Sequence, residues 1–326
     1  GEGAIPLSQV NDTVLVIYHY YEKDQSYIDN FLHFIQFAYR PELNYLIVIA
    51  GIASIELPQA SNITYFYAKN QNYDYGGYAQ VIKDLKFETN YANFIFVNSS
   101  VRGPFLPVHS KKNWANHLFD LYSDNIGIVG TAISLTPSHH AICKMYHEKY
   151  GYAERNKNIL AHVQSTCYVL SQSVLCSLIK DGFYDVHESL SKDETVRDYE
   201  MRLSQILLAQ GLNLKCLLPE YNKPDYRSLS HEINPSAREG DSGFEYSYFG
   251  RTVHPYEAMF VKTSRNTSSD TYLSQLAYSM SFQFPLNADL SCTAAIEGYR
   301  RRCELIALNA TSSAVKKKSF WSVFNS

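Results

Sequence analysis

The segment Phe94-Ile-Phe-Val-Asn-Ser-Ser-Val-Arg-Gly-Pro-Phe decides the fold class of this chain. Four consecutive apolar residues of high β propensity predict a buried strand. They are followed at once by Asn98, Ser99 and Ser100, and then by Arg102 before a Gly-Pro turn. If the strand lies near the centre of a parallel sheet, these polar groups lie at its carboxyl edge, where such sheets bind ligands. The alternative interpretation is an ordinary strand-to-turn junction.

The sequence around this segment alternates strands and helices. Apolar, β-branched runs predict strands over 13–20, 45–50 and 63–68, in addition to 93–97. Apolar residues at helical spacing predict helices over 27–39 and 77–85. This order predicts an α/β fold with a mixed, mostly parallel sheet flanked by helices.

The second half continues the same pattern less regularly. We predict a polar loop over 137–157, a strand over 162–170, a helix over 200–210 capped by Gly211, and a surface loop over 222–250. Other predicted elements are helices at 114–122, 171–180, 272–281 and 290–309, strands at 126–131 and 214–218, and an extended segment at 253–262. The predicted organisation is one α/β domain over 1–263 followed by a helical extension over 264–326.

Composition excludes some functions and locations. The net charge of −3 gives no electrostatic reason to expect nucleic acid as a partner. The six cysteines show no metal-ligand spacing, and no apolar run is long enough to span a bilayer, so we expect a cytoplasmic protein. The tail 316–324 combines basic and aromatic residues, which predicts either peripheral contact with an anionic membrane or a frayed terminus.

Five blocks in this order carry a family resemblance. They are Asn72-Tyr-Asp-Tyr-Gly-Gly-Tyr, Val97-Asn-Ser-Ser-Val-Arg-Gly-Pro-Phe-Leu-Pro, His162-Val-Gln-Ser, Tyr199-Glu-Met-Arg-Leu-Ser and Arg251-Thr-Val-His-Pro-Tyr-Glu. Over residues 12–263 the chain resembles glycosyltransferases of the GT-A (Rossmann-like) type, nearest the rhamnan-synthesis branch of cell-surface polysaccharide enzymes. The resemblance implies transfer of a hexosyl or deoxyhexosyl group, as in rhamnosyltransferases. The donor would be a UDP-, GDP- or dTDP-linked sugar, and the acceptor a glycan or lipid-linked hydroxyl.

The metal motif of that family is altered in this sequence. The family carries Asp-x-Asp, which binds Mg²⁺ or Mn²⁺, where this chain has Asn98-Ser99-Ser100. Either other residues hold the metal, with His254 as a candidate ligand, or the leaving diphosphate is stabilised without metal. For the second route the candidates are Arg102, His254, Lys262 and tyrosine hydroxyls.

Two further segments are candidates for the donor site. Gly76 and Gly77 permit close backbone approach to a ligand, and the resemblance places Asp74 near the base or sugar. The alternative for Asp74 is a helix N-cap. Tyr18 and His19, at the end of the first strand, are candidates for base stacking or, alternatively, for core packing.

The resemblance also implies a general base. In inverting enzymes of this type a carboxylate at a helix start deprotonates the acceptor hydroxyl, and here Glu200 is the first candidate and Asp198 its partner or substitute. The alternative for Asp198 is a helix cap. Thr131, His162 and Gln164 are candidates for the sugar or acceptor pocket.

Two other classes of function compete with sugar transfer. A catalytically inactive nucleotide-sugar or carbohydrate-binding module is favoured by the missing carboxylates at Asn98–Ser100. A dinucleotide-dependent enzyme is disfavoured, since no G-x-G-x-x-G follows the first strand.

Overall fold

A computed structural model describes residues 14–321, with side chains described to residue 309. Its strands are β1 (Val14–Tyr20), β2 (Asn44–Ala50), β3 (Ile63–Ala68), β4 (Asn93–Asn98), β5 (Val101–Arg102), β6 (Ile126–Gly130), β7 (Ile133–Pro137), β8 (Ile159–Val163), β9 (Cys167–Ser171), β10 (Asn213–Cys216) and β11 (Val261–Lys262). Its α-helices are α1 (Gln25–Ala38), α2 (Tyr73–Leu85), α3 (Trp114–Phe119), α4 (Ala141–Tyr150), α5 (Gln172–Lys180), α6 (Lys192–Thr195), α7 (Arg202–Ala209), α8 (Pro255–Ala258), α9 (Asp270–Gln283) and α10 (Ala294–Trp321). A π-helical segment, Val196–Met201, joins α6 to α7.

The main sheet has seven strands in the order β10-β6-β9-β4-β1-β2-β3. All neighbouring pairs are parallel except those of β9, which runs antiparallel to both β4 and β6. Short two-stranded ladders, β5 with β11 and β7 with β8, lie beside it. The predicted mixed, mostly parallel sheet flanked by helices is therefore confirmed.

Both faces of the sheet are buried, as the continuous apolar runs predict. Side chains of β1 alternate between two cores: Leu15 and Ile17 pack towards α2, α5 and α7, whereas Val16 packs towards α1, α3 and α9. Residues of α9 and α10, including Tyr299, belong to this second core. The C-terminal helices thus share a core with the sheet, and the boundary at residue 263 stays a prediction.

Several predicted elements were wrong in their extent. The segment 137–157, predicted to be a loop, contains α4, which fully buries only Cys143 and Tyr146. The single strand predicted over 162–170 is two strands, because the chain leaves the β7 ladder after β8 and enters the main sheet as β9. The predicted extended segment 253–262 contains the short helix α8.

Two helices that bear predicted site residues begin earlier than expected. The first residue of α2 is Tyr73 rather than Gly77, after Asn72 in a left-handed conformation. Residue 200 does not begin a helix, because Ser191 caps α6 and forms a capping box with Glu194. Asp74 and Asp198 are therefore not N-caps, and both alternative interpretations were wrong.

The remaining segments need only brief description. The predicted loop over 222–250 has turns and two isolated bridges, yet buries Tyr226, Asn234 and Tyr248. Among the described helices, none combines the length and apolarity needed to cross a bilayer. The predicted membrane contact of the 316–324 tail lies outside the described side chains.

Candidate functional site

A cleft of about 760 Å³ opens at the carboxyl ends of β1 and β4. This is the position at which the topology predicts a ligand. Its lining residues are His19, Tyr21, Lys23, Tyr27, Asn70, Gln71, Asn72, Tyr73, Asp74, Asn98, Ser99, Ser100, Val186, His187, Glu188, Ser189, Leu190 and Lys192. Five of the predicted donor-site residues, all at strand ends or on α2, are thus in one cleft: His19, Asp74, Asn98, Ser99 and Ser100.

A chain of hydrogen bonds organises the floor of the cleft. Asn98 donates from Nδ2 to Asp74 Oδ2 at 3.0 Å, and its Oδ1 accepts from the Ser100 amide and hydroxyl at 3.1 and 2.5 Å. Ser99 Oγ accepts from the Tyr21 amide at 3.0 Å. Burial and the nearby charge of Glu200 raise the pKa of Asp74 to about 6, against the lowering effect of the Asn98 bond. The end of β4 is therefore a rigid polar surface beside a carboxyl group that titrates near neutrality.

Glu200 lies next to this surface. Its Oε1 is 3.5 Å from His162 Nε2, and the Ser165 amide also donates to its carboxylate. Burial alone would raise the pKa of Glu200, but His162, the charge of Lys262 and the Ser165 bond outweigh burial and lower it to about 2. Glu200 is therefore an ionised carboxylate at neutral pH, close enough to Asp74 for the two charges to interact.

Asp198 lies on the other side of the same segment and has different partners. Its carboxylate accepts from Lys149 Nζ at 3.0 Å, Tyr150 Oη at 2.6 Å, and Arg197 Nε and Nη2 at 2.7 and 3.0 Å. It is buried, and neither Asp198 nor Glu200 is among the residues that line the cleft. The prediction that Asp198 partners or replaces the base is corrected: Asp198 ties the π-helical segment to α4. π-Helical turns often occur at functional sites, and this one separates the two carboxylates.

Three predicted donor-site residues are directed elsewhere. Arg102 is buried and donates to Asn30 Oδ1 at 2.9 Å and Asp270 Oδ1 at 2.7 Å, because β5 turns its side chain towards α1 and α9. His254 caps α8 and its Nε2 is 2.8 Å from Tyr272 Oη. These residues hold structural elements together, so neither a phosphate role for Arg102 and His254 nor a metal role for His254 fits the geometry.

Tyr18 is the third residue that the structure moves out of the cleft. Its ring stacks on Phe34 at 4.4 Å between centroids, in the core beneath α1. His19, the next residue, points to the opposite face of the sheet and lines the cleft, with its pKa lowered by burial to about 4. Of the two alternatives for this pair, core packing applies to Tyr18, and base stacking by His19 stays a prediction.

The two glycines of α2 serve helix packing rather than backbone approach to a ligand. A Cβ at Gly77 would lie 2.6 Å from the His19 ring, and one at Gly76 would lie 1.9 Å from the Gln71 carbonyl oxygen. The Gly76 amide already donates to Asn72 O within the helix. Their small size lets α2 lie against β1 and hold Asp74 at the cleft.

The predicted sugar or acceptor residues lie in a smaller chamber nearby. Thr131, Gln164 and Lys262 line a cavity of about 40 Å³, together with Ser242 and Arg265. Gln164 Nε2 donates to Ser134 Oγ and Asp241 Oδ1 at 3.1 and 2.9 Å, which fixes its orientation. His162 is placed by β8 behind Glu200 rather than in this chamber.

Some cleft residues were missed by the sequence analysis. Lys192 lines the cleft from the first residue of α6, and the loop residues 186–190 form its outer wall. Asn72 holds that loop, since its side chain donates to Glu188 O and accepts from Leu190 N, both at 2.8 Å. The Ser191–Glu194 capping box was the available signal, because it marks a helix start and so the true position of Lys192.

The residues at the position of the family's metal motif do not fit the divalent metal that the resemblance implies. Mg²⁺ in such sites is held by one or two carboxylates together with substrate phosphates, whereas Asn98 and Ser100 offer an amide and a hydroxyl that already bond to each other. Among residues 14–309, no three His, Cys, Asp or Glu side chains are grouped so as to hold a metal ion.

No protein-family model and no curated protein sequence matches this chain. Solved structures do share part of its backbone. One is mannosyltransferase PcManGT from Pyrobaculum calidifontis, solved in complex with GDP-Man and Mn2+, with a TM-score of 0.35 and 11% sequence identity. The match covers 62% of this chain and 54% of the mannosyltransferase, so this chain spans about half of that protein's length.

Proposed function

We propose that this chain transfers a hexosyl or deoxyhexosyl group from a nucleotide-diphosphate sugar to a hydroxyl of a glycan or lipid-linked acceptor. The donor is UDP-, GDP- or dTDP-linked, and the proposed setting is polysaccharide biosynthesis in the cytoplasm. One observation carries the proposal: Glu200, an ionised carboxylate, lies beside the Asp74–Asn98–Ser100 hydrogen-bonded surface at the carboxyl end of the central strands.

The cleft has the dimensions and chemistry of a nucleotide-sugar site. Its volume of about 760 Å³ lies in the range of small-molecule sites. Tyrosine and histidine rings provide flat surfaces for a base, and Asn98, Ser99 and Ser100 provide hydrogen-bonding groups for ribose and phosphate. Asp74 is suited to accept hydrogen bonds from base or ribose donors.

The proposed reaction is an inverting displacement. The acceptor oxygen attacks the anomeric carbon while its proton passes to Glu200, and the bond from that carbon to the β-phosphate oxygen breaks. The electron pair leaves with the nucleoside diphosphate. The Ser165 amide and His162 fix the orientation of the Glu200 carboxylate during this step. His162 is thus a positioning residue, and Thr131 and Gln164 are proposed to contact the transferred sugar or the acceptor.

The first test is a panel of UDP-, GDP- and dTDP-sugars, assayed by thermal shift and by release of nucleoside diphosphate. A donor that binds only the folded form raises the melting temperature. We expect one nucleotide class to do so and to be turned over. If no nucleotide sugar shifts the transition at millimolar concentration, the assignment fails.

The second candidate function is a catalytically inactive nucleotide-sugar or carbohydrate-binding module on the same fold. The observation that favours it is the replacement of the two family carboxylates by Asn98 and Ser100. The same panel separates the two. A module binds a nucleotide sugar or glycan yet releases no nucleoside diphosphate, with or without Mn²⁺ and in the presence of candidate acceptors.

A further inference from the structure

Two lysines border the place where the proposed diphosphate would lie. Lys192 lines the cleft, and Lys262 lines the smaller chamber. Backbone contacts hold Lys262 near Ser100, one of the cleft residues proposed to contact ribose and phosphate. These contacts are the pairing of β11 with β5 and the hydrogen bond from the Thr263 amide to Ser100 O at 3.4 Å. The two ammonium groups are close enough for their charges to interact.

Neither ammonium group has an ion pair or a hydrogen bond among residues 14–309. The acids that affect Lys262 already have partners: Glu200 faces His162, and Asp241 Oδ2 binds Arg265 Nη2 at 2.7 Å. Among the described residues, the charges of Glu200 and Asp241 therefore offset that of Lys262 only without a direct ion pair, and each of these acids already has another partner.

The electrostatic balance at Lys262 points in the same direction. Burial lowers its pKa, and the positive charges of Arg265 and Lys192 lower it further, against the raising effect of Glu200 and Asp241. An anion bound between Lys192 and Lys262 would relieve the repulsion between them and favour the charged form of Lys262.

We propose that Lys192 and Lys262 together hold the diphosphate of the donor and offset the charge of the departing nucleoside diphosphate in place of a divalent metal. This inference rests on the proposed sugar transfer. When the glycosidic bond breaks, its electron pair goes to the β-phosphate oxygen, which gains one negative charge. Two ammonium groups would supply positive charge at that point, which is the contribution that the Asn98 and Ser100 side chains cannot make.

The test measures the affinities of UDP, GDP and dTDP, and of the matching monophosphates, for the full chain by isothermal titration calorimetry. Each titration is done in EDTA and again with Mn²⁺. We expect the preferred diphosphate to bind equally in both conditions, within about twofold, and K192Q and K262Q each to weaken it roughly tenfold. The same substitutions should reduce the affinity for the monophosphate by a smaller factor, because it lacks the β-phosphate.

Matched variants separate charge from folding. K83Q removes an exposed lysine on α2 outside the cleft and should leave the affinity unchanged, whereas K192R and K262R keep the charge and should restore most of it. Melting curves of all variants check that the fold is retained.

The outcomes distinguish this inference from the proposed function. If the diphosphate binds only with Mn²⁺, or binds K192Q and K262Q as it binds K83Q, the lysine inference is overturned and sugar transfer stands. If none of the three diphosphates binds in either condition, the proposed function fails and this inference fails with it.

Discussion

Glu200 and Asp198 are two residues apart in the chain and have opposite surroundings. Glu200 lies beside His162 and close enough to Asp74 for their charges to interact, whereas Asp198 is enclosed by Lys149, Tyr150 and Arg197. A sequence motif that contains both carboxylates cannot distinguish their surroundings. The turn of the π-helical segment separates them, and the two residues can be tested separately.

Substitution of Glu200 tests the proposed base. E200Q keeps the shape and the Ser165 bond but cannot accept a proton, so we expect kcat to fall by about 10²–10⁴-fold. Affinity for the nucleoside diphosphate should change by less than about threefold, since the proposed contact is to the acceptor. Steady-state kinetics and calorimetry on the same preparation provide both values. A variant with near-normal kcat would exclude Glu200 as the base.

Substitution of Asp198 should affect stability instead. Its bonds to Arg197, Tyr150 and Lys149 outweigh burial and lower its pKa to about 2. A depressed carboxyl pKa stabilises the folded state above the unfolded value of about 3.8, and this contribution is lost as the pH falls through about 2. We expect D198N to lower the free energy of unfolding by about 2 kcal/mol at pH 7.

Urea unfolding at pH 7 and at pH 3 checks the prediction for Asp198. The difference in the free energy of unfolding between D198N and the unmodified chain should be smaller at pH 3 than at pH 7. Affinity of the folded variant for the nucleoside diphosphate should be unchanged. An equal stability loss at both pH values would contradict the electrostatic explanation.

At the scale of elements, the closest packing is that of α2 on β1. Gly77 allows it, because any larger residue would meet the His19 ring. We expect G77A to destabilise the fold by about 1–3 kcal/mol and to weaken donor binding, since α2 carries Asp74. Chemical denaturation and calorimetry provide the two measurements.

A second helical glycine provides the control. A Cβ at Gly298 in α10 would meet only Arg302 Nη1, at 3.9 Å. G298A should therefore stabilise the protein, by about 0.5–1 kcal/mol, through helix propensity alone. If G77A and G298A change the free energy of unfolding in the same direction and by similar amounts, close packing is not the reason for glycine in α2.

The strands of the first half could be predicted from sequence, whereas several later elements could not. Apolar runs such as 45–50 and 93–97 are buried on both faces, so their pattern is unambiguous. Helix α4 fully buries only Cys143 and Tyr146, so its helical pattern is weak. The break between β8 and β9 has only a short polar signal, Gln164-Ser165-Thr166, between two apolar runs.

The candidate site was predictable in part for a similar reason. Asn98 and Ser100 follow from the end of a central strand, whereas Asp74 was placed at the site by the family resemblance. The direction of the Arg102 side chain depends on which face of the short strand β5 packs against α1. Tertiary packing determines that face, so the local sequence does not reveal it. Lys192 was missed because the start of its helix was placed eight residues too late, at 200 rather than 192.

At the scale of the whole molecule, the C-terminal helices complete the core on one face of the sheet. His33 Nδ1 lies 2.8 Å from Tyr299 Oη, and Arg102 binds Asp270. We expect a chain ending at residue 263 to lose cooperative unfolding, because the apolar face of α1 would be exposed. Near-ultraviolet circular dichroism and thermal melting measure this loss.

Truncation after residue 309 is the control, since it keeps all the described side chains. If the 1–263 fragment melts as the full chain does, the helical extension is an independent unit, as the predicted domain boundary implies.

The antiparallel strand β9 has a consequence for how the chain reaches this structure. Within the described sheet it lies between β4 and β6, so it connects the β1–β4 group to β6 and β10. During synthesis, residues 14–98 can pair among themselves long before residues 167–171 leave the ribosome. Until then β4 presents an open, apolar edge, which is the kind of surface that attracts chaperones or other nascent chains.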